Sequence, residues 1–102
     1  MPTVKSTSVE NSPVAASPDG SYKFTVKFSY GDDVNVESYE FVAGGAMLNG
    51  QIATPQHNGT TTFDVVLGAG TPSGTLDYTV TITDAMSRMS DDGQGTVVLS
   101  PP

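Results

Sequence analysis

Strict alternation of apolar and polar residues marks two segments of the chain as half-buried β-strands. From Tyr22 to Tyr30 every even-numbered residue is large and apolar, and every odd-numbered residue is polar. The same two-residue period runs from Leu76 to Thr83. Because successive side chains of a strand point to opposite faces, this period predicts one face against a core and one face in water. We expect the two apolar faces to share one core, whose members include Phe24, Phe28, Val80 and Ile82.

Shorter strands are predicted around these two segments. The candidates are residues 34–43, 46–48, 51–56, 60–67 and 95–99. Asn49-Gly50 and Asn58-Gly59 would form two-residue hairpin turns, since Asn-Gly is the preferred pair where both turn residues need positive φ. Pro55 has no N–H to donate, which places its segment at a sheet edge. No stretch repeats apolar residues at the helical period, so the chain is predicted to be all-β.

Residues 1–20 are predicted to be an N-terminal arm or an edge strand with a loop. They are rich in Ser, Thr and Pro and contain few large apolar side chains. The pattern fits an edge strand over 3–9 followed by a loop over 10–20, and it also fits a flexible arm that orders on a partner. We favour the edge strand. Residues 21–102 then form the main body of a single domain.

About seven short strands at intervals near ten residues are typical of a Greek-key β-sandwich. The segment from Gly74 to Ala85, followed by a polar turn and a Val-rich strand, resembles the last two strands of immunoglobulin-like domains. Over residues 21–99 the resemblance implies an immunoglobulin-like Greek-key β-sandwich of about seven strands.

The resemblance also implies roles for individual residues. Tyr78 stands where that family has its tyrosine-corner residue. Val26 and Val80 stand where antibody domains have a cysteine pair. The chain has no tryptophan, and the resemblance implies that Tyr39 or Phe41 fills the volume of the family's core tryptophan.

The composition is acidic and lacks cysteine. Lys+Arg number 4 against 11 Asp+Glu, which gives a formal net charge of -7. So few cations argue against nucleic acid and anionic membrane surfaces as partners. The absence of cysteine excludes disulfides, cysteine-ligated zinc and a thiol nucleophile. Neither a secretory signal nor an apolar run of roughly 20 residues is present, so we expect no membrane insertion. The chain is either a whole gene product or a fragment.

Few residues offer catalytic chemistry, and we predict that the protein is not an enzyme. His57 is the only histidine, and its place beside Asn58-Gly59 is typical of an exposed turn residue rather than a general base. The pairs Asp32-Asp33 and Asp91-Asp92 fall in predicted turns, where aspartate commonly bonds to its own backbone. We assign no catalytic residue, no cofactor-binding residue and no cofactor.

A calcium site is the main alternative for the turn aspartates, because Ca²⁺ binds several oxygen ligands. The candidates are Asp32, Asp33, Asp84, Asp91 and Asp92. The chain has no EF-hand spacing and no Asp-x-Asp run. We therefore interpret these residues as a solvating acidic rim, assign no metal ligand, and leave calcium binding open.

Four other motifs have ordinary structural interpretations. Asn58-Gly59-Thr60 matches the N-glycosylation pattern, but it also reads as a hairpin turn. Gly44-Gly45 and Gly68-Ala69-Gly70 are too short to cradle a phosphate. Met86 and Met89 flank Arg88, and packing over the end of the sandwich is favoured over a contact patch.

Domains of the family that this chain resembles occur in bacterial surface proteins, including cadherin-like and polycystic-kidney-disease-type repeats, and as accessory domains on bacteriophage virions. We predict a non-catalytic structural or binding module located on a virion, as a capsid decoration or accessory protein that binds the viral capsid or tail. The acidic surface would keep closely spaced copies soluble. The alternatives are an immunoglobulin-like repeat of a bacterial adhesin or secreted enzyme with a cell-surface ligand, and a carbohydrate-binding module.

Overall fold

The computed structural model describes all 102 residues, as five antiparallel β-strands and their connections. The strands are β1 (Thr3–Val9), β2 (Tyr22–Ala43), β3 (Ala46–Leu67), β4 (Gly74–Asp84) and β5 (Gly93–Leu99). The order in the sheet is β1-β2-β4-β5, and β3 also pairs with β2. The protein is therefore all-β, as predicted. No helix is long and apolar enough to cross a membrane.

A bend in β2 divides the sheet into two halves. Residues 22–31 of β2 pair with β1 on one side and with residues 58–67 of β3 on the other. We call this three-stranded part the β1 half. After register shifts on either side of Val36, residues 38–43 pair with residues 46–51 of β3 and with β4, which pairs with β5. We call this four-stranded part the β5 half.

The five observed strands replace the seven short ones predicted, because two of the predicted turns are not turns. Asn49-Gly50 and Asn58-Gly59 both lie inside β3, and neither of their glycines has a positive φ. The turn between β2 and β3 is instead Gly44-Gly45, which separates the paired residues Ala43 and Ala46. Gly44 has a φ of 56° and Gly45 has no positive φ, as in a type II′ hairpin.

Three glycines inside strands lie opposite a tyrosine ring. The cross-strand pairs are Gly50 with Tyr39, Gly59 with Tyr30, and Gly95 with Tyr78. A Cβ atom built on Gly95 would lie 2.3 Å from the ring of Tyr78, much closer than carbon atoms that are not bonded can approach. The ring therefore covers a stretch of backbone that has no side chain, and cross-strand packing rather than a turn requires glycine here.

We expect Gly95→Ala to lower the free energy of unfolding by roughly 1–3 kcal/mol, as overpacking does elsewhere. Tyr78 is only 2% exposed, so its ring has little room to move away from a new methyl group. Gly68→Ala is the matched control, because no atom lies within 4 Å of its Cβ position. Urea denaturation compares the two variants with the wild type. Equal stability of both variants would contradict the cross-strand explanation.

One hydrophobic core lies inside the curled sheet. It contains 18 buried residues from both halves. Phe24 and Phe28 of β2 belong to it, and so do Val80 and Ile82 of β4. The predicted packing of the two amphipathic strands into a single core is confirmed.

The N-terminal segment forms the edge strand predicted over 3–9, and the loop after it is attached to β5. Val14 is buried. Its N–H donates to the carbonyl of Val98 at 2.7 Å, and its carbonyl accepts the N–H of Ser100 at 2.9 Å. This loop is therefore anchored to the core rather than free. Pro55 lies on β3, whose sole strand partner is β2, so its predicted position at a sheet edge is confirmed.

Candidate functional site

Three of the candidate aspartates meet around a single arginine. Asp32 and Asp33 lie where β2 bends, Asp84 is the last residue of β4, and Arg88 lies in the connection to β5. We call these four residues the carboxylate cluster. Asp32-Asp33 was predicted to fall in a turn, but the pair lies inside the long strand β2.

Arg88 bonds to all three carboxylates of the cluster. Its Nε donates to Oδ2 of Asp84 at 2.8 Å, and its Nη2 donates to Oδ1 of Asp33 at 2.6 Å and of Asp32 at 3.4 Å. Asp84 Oδ1 also accepts the backbone N–H groups of Met86 and Arg88, both at 2.9 Å. The side chains of Asp32 and Asp84 are both 0% exposed. The cluster therefore ties the bend of β2 to the end of β4.

Asp32 is the unusual member of the cluster. Its Oδ1 accepts the N–H of Asp33 at 2.7 Å, but its Oδ2 is buried and has no hydrogen-bond donor. Oδ1 also lies 3.3 Å from the N-terminal amino group of Met1. A buried carboxylate oxygen without a donor disfavours the ionised form of its group.

The pKa values of the three carboxyl groups are shifted in different directions. Burial, and then hydrogen bonds to Asp33 and Asp84, raise the pKa of Asp32. The hydrogen bond from Asp32, and then that from Arg88, hold the pKa of Asp33 far below its ordinary value. Burial alone would raise the pKa of Asp84, but hydrogen bonds from Asp32 and from two backbone N–H groups lower it to about 2. Hydrogen bonding to Asp33 raises the pKa of Arg88.

The other two candidate aspartates lie outside the cluster. Asp92 accepts a hydrogen bond from Thr81 Oγ1 at 3.0 Å, and Asp91 is exposed beside it. The structure contains no group of three or more His, Cys, Asp or Glu side chains arranged to hold a metal ion. Within the cluster, the guanidinium of Arg88 lies among the carboxylates. The predicted acidic rim is thus partly an internal network of ion pairs.

The remaining sequence candidates lie on the surface. His57 is exposed, but it lies inside β3 rather than in a turn. Asn58 accepts a hydrogen bond from Nζ of Lys5 at 3.3 Å. Met86 and Met89 are 63% and 58% exposed, so the prediction that they pack over the end of the molecule is wrong.

Charge is divided unevenly between the two halves. The chain's three lysines, Lys5, Lys23 and Lys27, all lie in the β1 half. The strands of the β5 half contain no lysine or arginine. Asp84 of these strands is buried in the carboxylate cluster, and the other acidic residues on and next to them are Glu37, Glu40, Asp77, Asp91 and Asp92. Three exposed apolar side chains share this surface, namely Met47, Met89 and Val98. We call the outer surface of the β5 half the acidic face.

No protein-family model matches the chain, and no curated protein is significantly similar to it. The fold, the carboxylate cluster and the acidic face are therefore the basis for a functional proposal.

Proposed function

We propose that the protein is a non-catalytic binding module of the immunoglobulin-like β-sandwich type that attaches to a large protein assembly. A bacteriophage virion is the first candidate, with the chain as a capsid decoration or accessory protein. The observation that carries the proposal is the acidic face, which combines unpaired acidic side chains with exposed methionines and a valine.

The strand layout supports the immunoglobulin-like part of the proposal. If β2 and β3 are each divided at their bends, seven strand segments result, three in the β1 half and four in the β5 half. Val14 adds a parallel bridge to Leu99 of β5. Val26 and Val80 are both 0% exposed, which suits the positions of the family's cysteine pair.

Two aromatic residues can also be compared with the pattern of immunoglobulin-like domains. Phe41 is fully buried and suits the volume of the family's core tryptophan. The hydroxyl of Tyr78 is hydrogen-bonded to Oγ1 of Thr7 in β1, whereas a tyrosine corner bonds to nearby backbone. This tyrosine connects the two halves instead, so the chain would be a variant of the family pattern.

The acidic face supports attachment to a basic protein surface. A single sign of charge over one face steers a partner of opposite charge and disfavours partners of the same sign. Exposed methionines adapt their shape to a partner and contribute apolar area. The β1 half balances its lysines with Glu10, Asp19 and Asp64, so it has no comparable excess of one charge.

Co-sedimentation with intact virions of a phage that encodes the chain tests this proposal. We expect the wild type to sediment with the particles, and Glu40→Lys combined with Asp77→Lys to weaken binding by about tenfold or more. The matched control is Glu10→Lys combined with Asp19→Lys, which changes the net charge equally on the β1 half and leaves the edge of β3 unaltered. A wild type that stays in the supernatant would overturn the virion proposal. Equal binding by both double variants would show that the acidic face is not the contact.

The positions of the tyrosines do not support the alternative of a carbohydrate-binding module. Such modules usually present aromatic rings on an exposed strand face. Tyr22, Tyr30 and Tyr78 are buried here, and Tyr39 stacks on Phe63 with ring centroids 4.4 Å apart. No pair of coplanar, exposed tyrosines is present.

A further inference from the structure

The second half of β3, residues 58–67, is a sheet edge without a neighbour. It pairs with β2 on one side, in an unbroken register from Asn58 to Leu67. Of the backbone hydrogen bonds outside the strand ladders, none involves a residue of β3. The N–H and C=O groups that point away from β2 therefore have no backbone partner. Such a row of free groups is a template for another strand.

The other sheet edges of the molecule are protected. β1 has a register shift between Val4 and Ser6, and it carries Lys5 at that point. β5 is bonded along its free side by the backbone of Val14 and by the side chain of Ser12. The first half of β3 runs into Pro55 and a shifted register. Shifts, lysines, prolines and covering segments are the usual means by which proteins prevent edge pairing.

Residues 58–67 have none of these protections. They contain no lysine, arginine or proline, and Asp64 is their only charged side chain. Thr60, Thr61 and Thr62 lie at the middle, and threonine favours extended, paired strands. The edge is therefore both open and well suited to pairing.

We propose that this edge pairs with the same edge of a second copy of the chain, antiparallel and centred near Thr61. In that register Thr60 of each copy faces Thr62 of the other, and Asp64 faces Asn58, whose amide can donate to a carboxylate. No two like charges are opposed. The two β1 halves would join into one continuous sheet of six strands across a twofold axis, which is the usual symmetry of a dimer.

The distribution of charge favours a second copy at this edge. The net charge of -7 would make two copies repel each other over most of the surface. The β1 half, however, carries Lys5, Lys23 and Lys27 with a matching number of acidic residues, and the acidic face lies on the other half. Two copies can therefore approach at the β3 edge with little repulsion. This inference does not depend on the proposed function.

Molar mass from light scattering after size-exclusion chromatography tests the proposal. We expect the wild type to have twice the monomer mass of 10.6 kDa at high micromolar concentration. Thr60→Lys should give the monomer mass, because a lysine on the edge disfavours strand pairing. Thr96→Lys on the exposed part of β5 is the matched control and should stay dimeric. Circular dichroism checks that both variants are folded.

Single cysteines give a second readout, since the chain has no cysteine of its own. Thr61→Cys should crosslink to a covalent dimer under mild oxidation, and Thr96→Cys should not. A monomeric wild type at every concentration would overturn the proposal and leave the edge for a strand of a different protein. A dimer that survives Thr60→Lys and lacks the Thr61→Cys crosslink would overturn it as well, because the contact would then lie elsewhere.

Discussion

Replacing Phe41 with alanine is expected to lower the free energy of unfolding by about 3–5 kcal/mol, the usual cost of deleting a buried aromatic ring. Phe41 is 0% exposed. Its ring centroid lies 6.3 Å from that of Phe24, 5.7 Å from that of Phe63 and 5.4 Å from that of Tyr78. The substitution therefore leaves a cavity where side chains from β2, β3 and β4 meet. A domain of this size has a stability of the same order, so part of the population should unfold without denaturant.

Urea denaturation followed by circular dichroism measures this effect. Val66→Ala is the control, because Val66 is 63% exposed and its loss should cost at most about 0.5 kcal/mol. Phe41→Leu keeps most of the volume and should fall between the two. A loss below about 1 kcal/mol for Phe41→Ala would mean that the two halves do not close on this ring.

The sequence was informative about which residues enter the core and much less informative about where strands end. Alternation from Tyr22 to Tyr30 and from Leu76 to Thr83 predicted buried faces that the structure confirms. The same reasoning placed turns at Asn49-Gly50 because Asn-Gly is a strong local turn signal. In the structure this segment is extended, and the Tyr39 ring of the opposite strand packs over Gly50. A contact between two strands cannot be recognised in the local sequence pattern of either strand.

The carboxylate cluster shows the same limit of sequence-based prediction for functional residues. Asp32, Asp33 and Asp84 were singled out from the sequence as oxygen-rich turn residues, but Arg88 was noted only for the methionines around it. Arg88 and Asp32 are separated by 56 positions in the chain. One signal was available, since Arg88 is the only arginine of a chain with 11 acidic residues. Its partners could be identified only once the bend of β2 and the end of β4 were placed together.

The two buried carboxyl groups of the cluster are expected to respond in opposite ways to the same substitution at pH 7. Asp32→Asn should raise the melting temperature, because the amide oxygen keeps the bond from the N–H of Asp33 and the amide nitrogen can donate where Oδ2 of Asp32 lacks a donor. Asp84→Asn should lower it by roughly 10 °C, because Arg88 loses the buried carboxylate oxygen that accepts from its Nε. Asp77→Asn, at an exposed carboxylate, is the control and should change little.

The pH dependence of these changes in melting temperature distinguishes the role of Asp32 from that of Asp84. The folded pKa of Asp32 is raised above its ordinary value of 3.8, so its contribution to stability is full at low pH and is lost as the pH rises through the folded pKa. The advantage of Asp32→Asn should therefore vanish in acid and grow towards neutral pH. The folded pKa of Asp84 is lowered to about 2, so its contribution is present above pH 3.8 and is lost as the pH falls towards 2. The deficit of Asp84→Asn should shrink over that same interval. If both variants were destabilised equally at pH 7 in thermal melts, Asp32 would be an ordinary ionised partner of Arg88, and the raised folded pKa of Asp32 would be wrong.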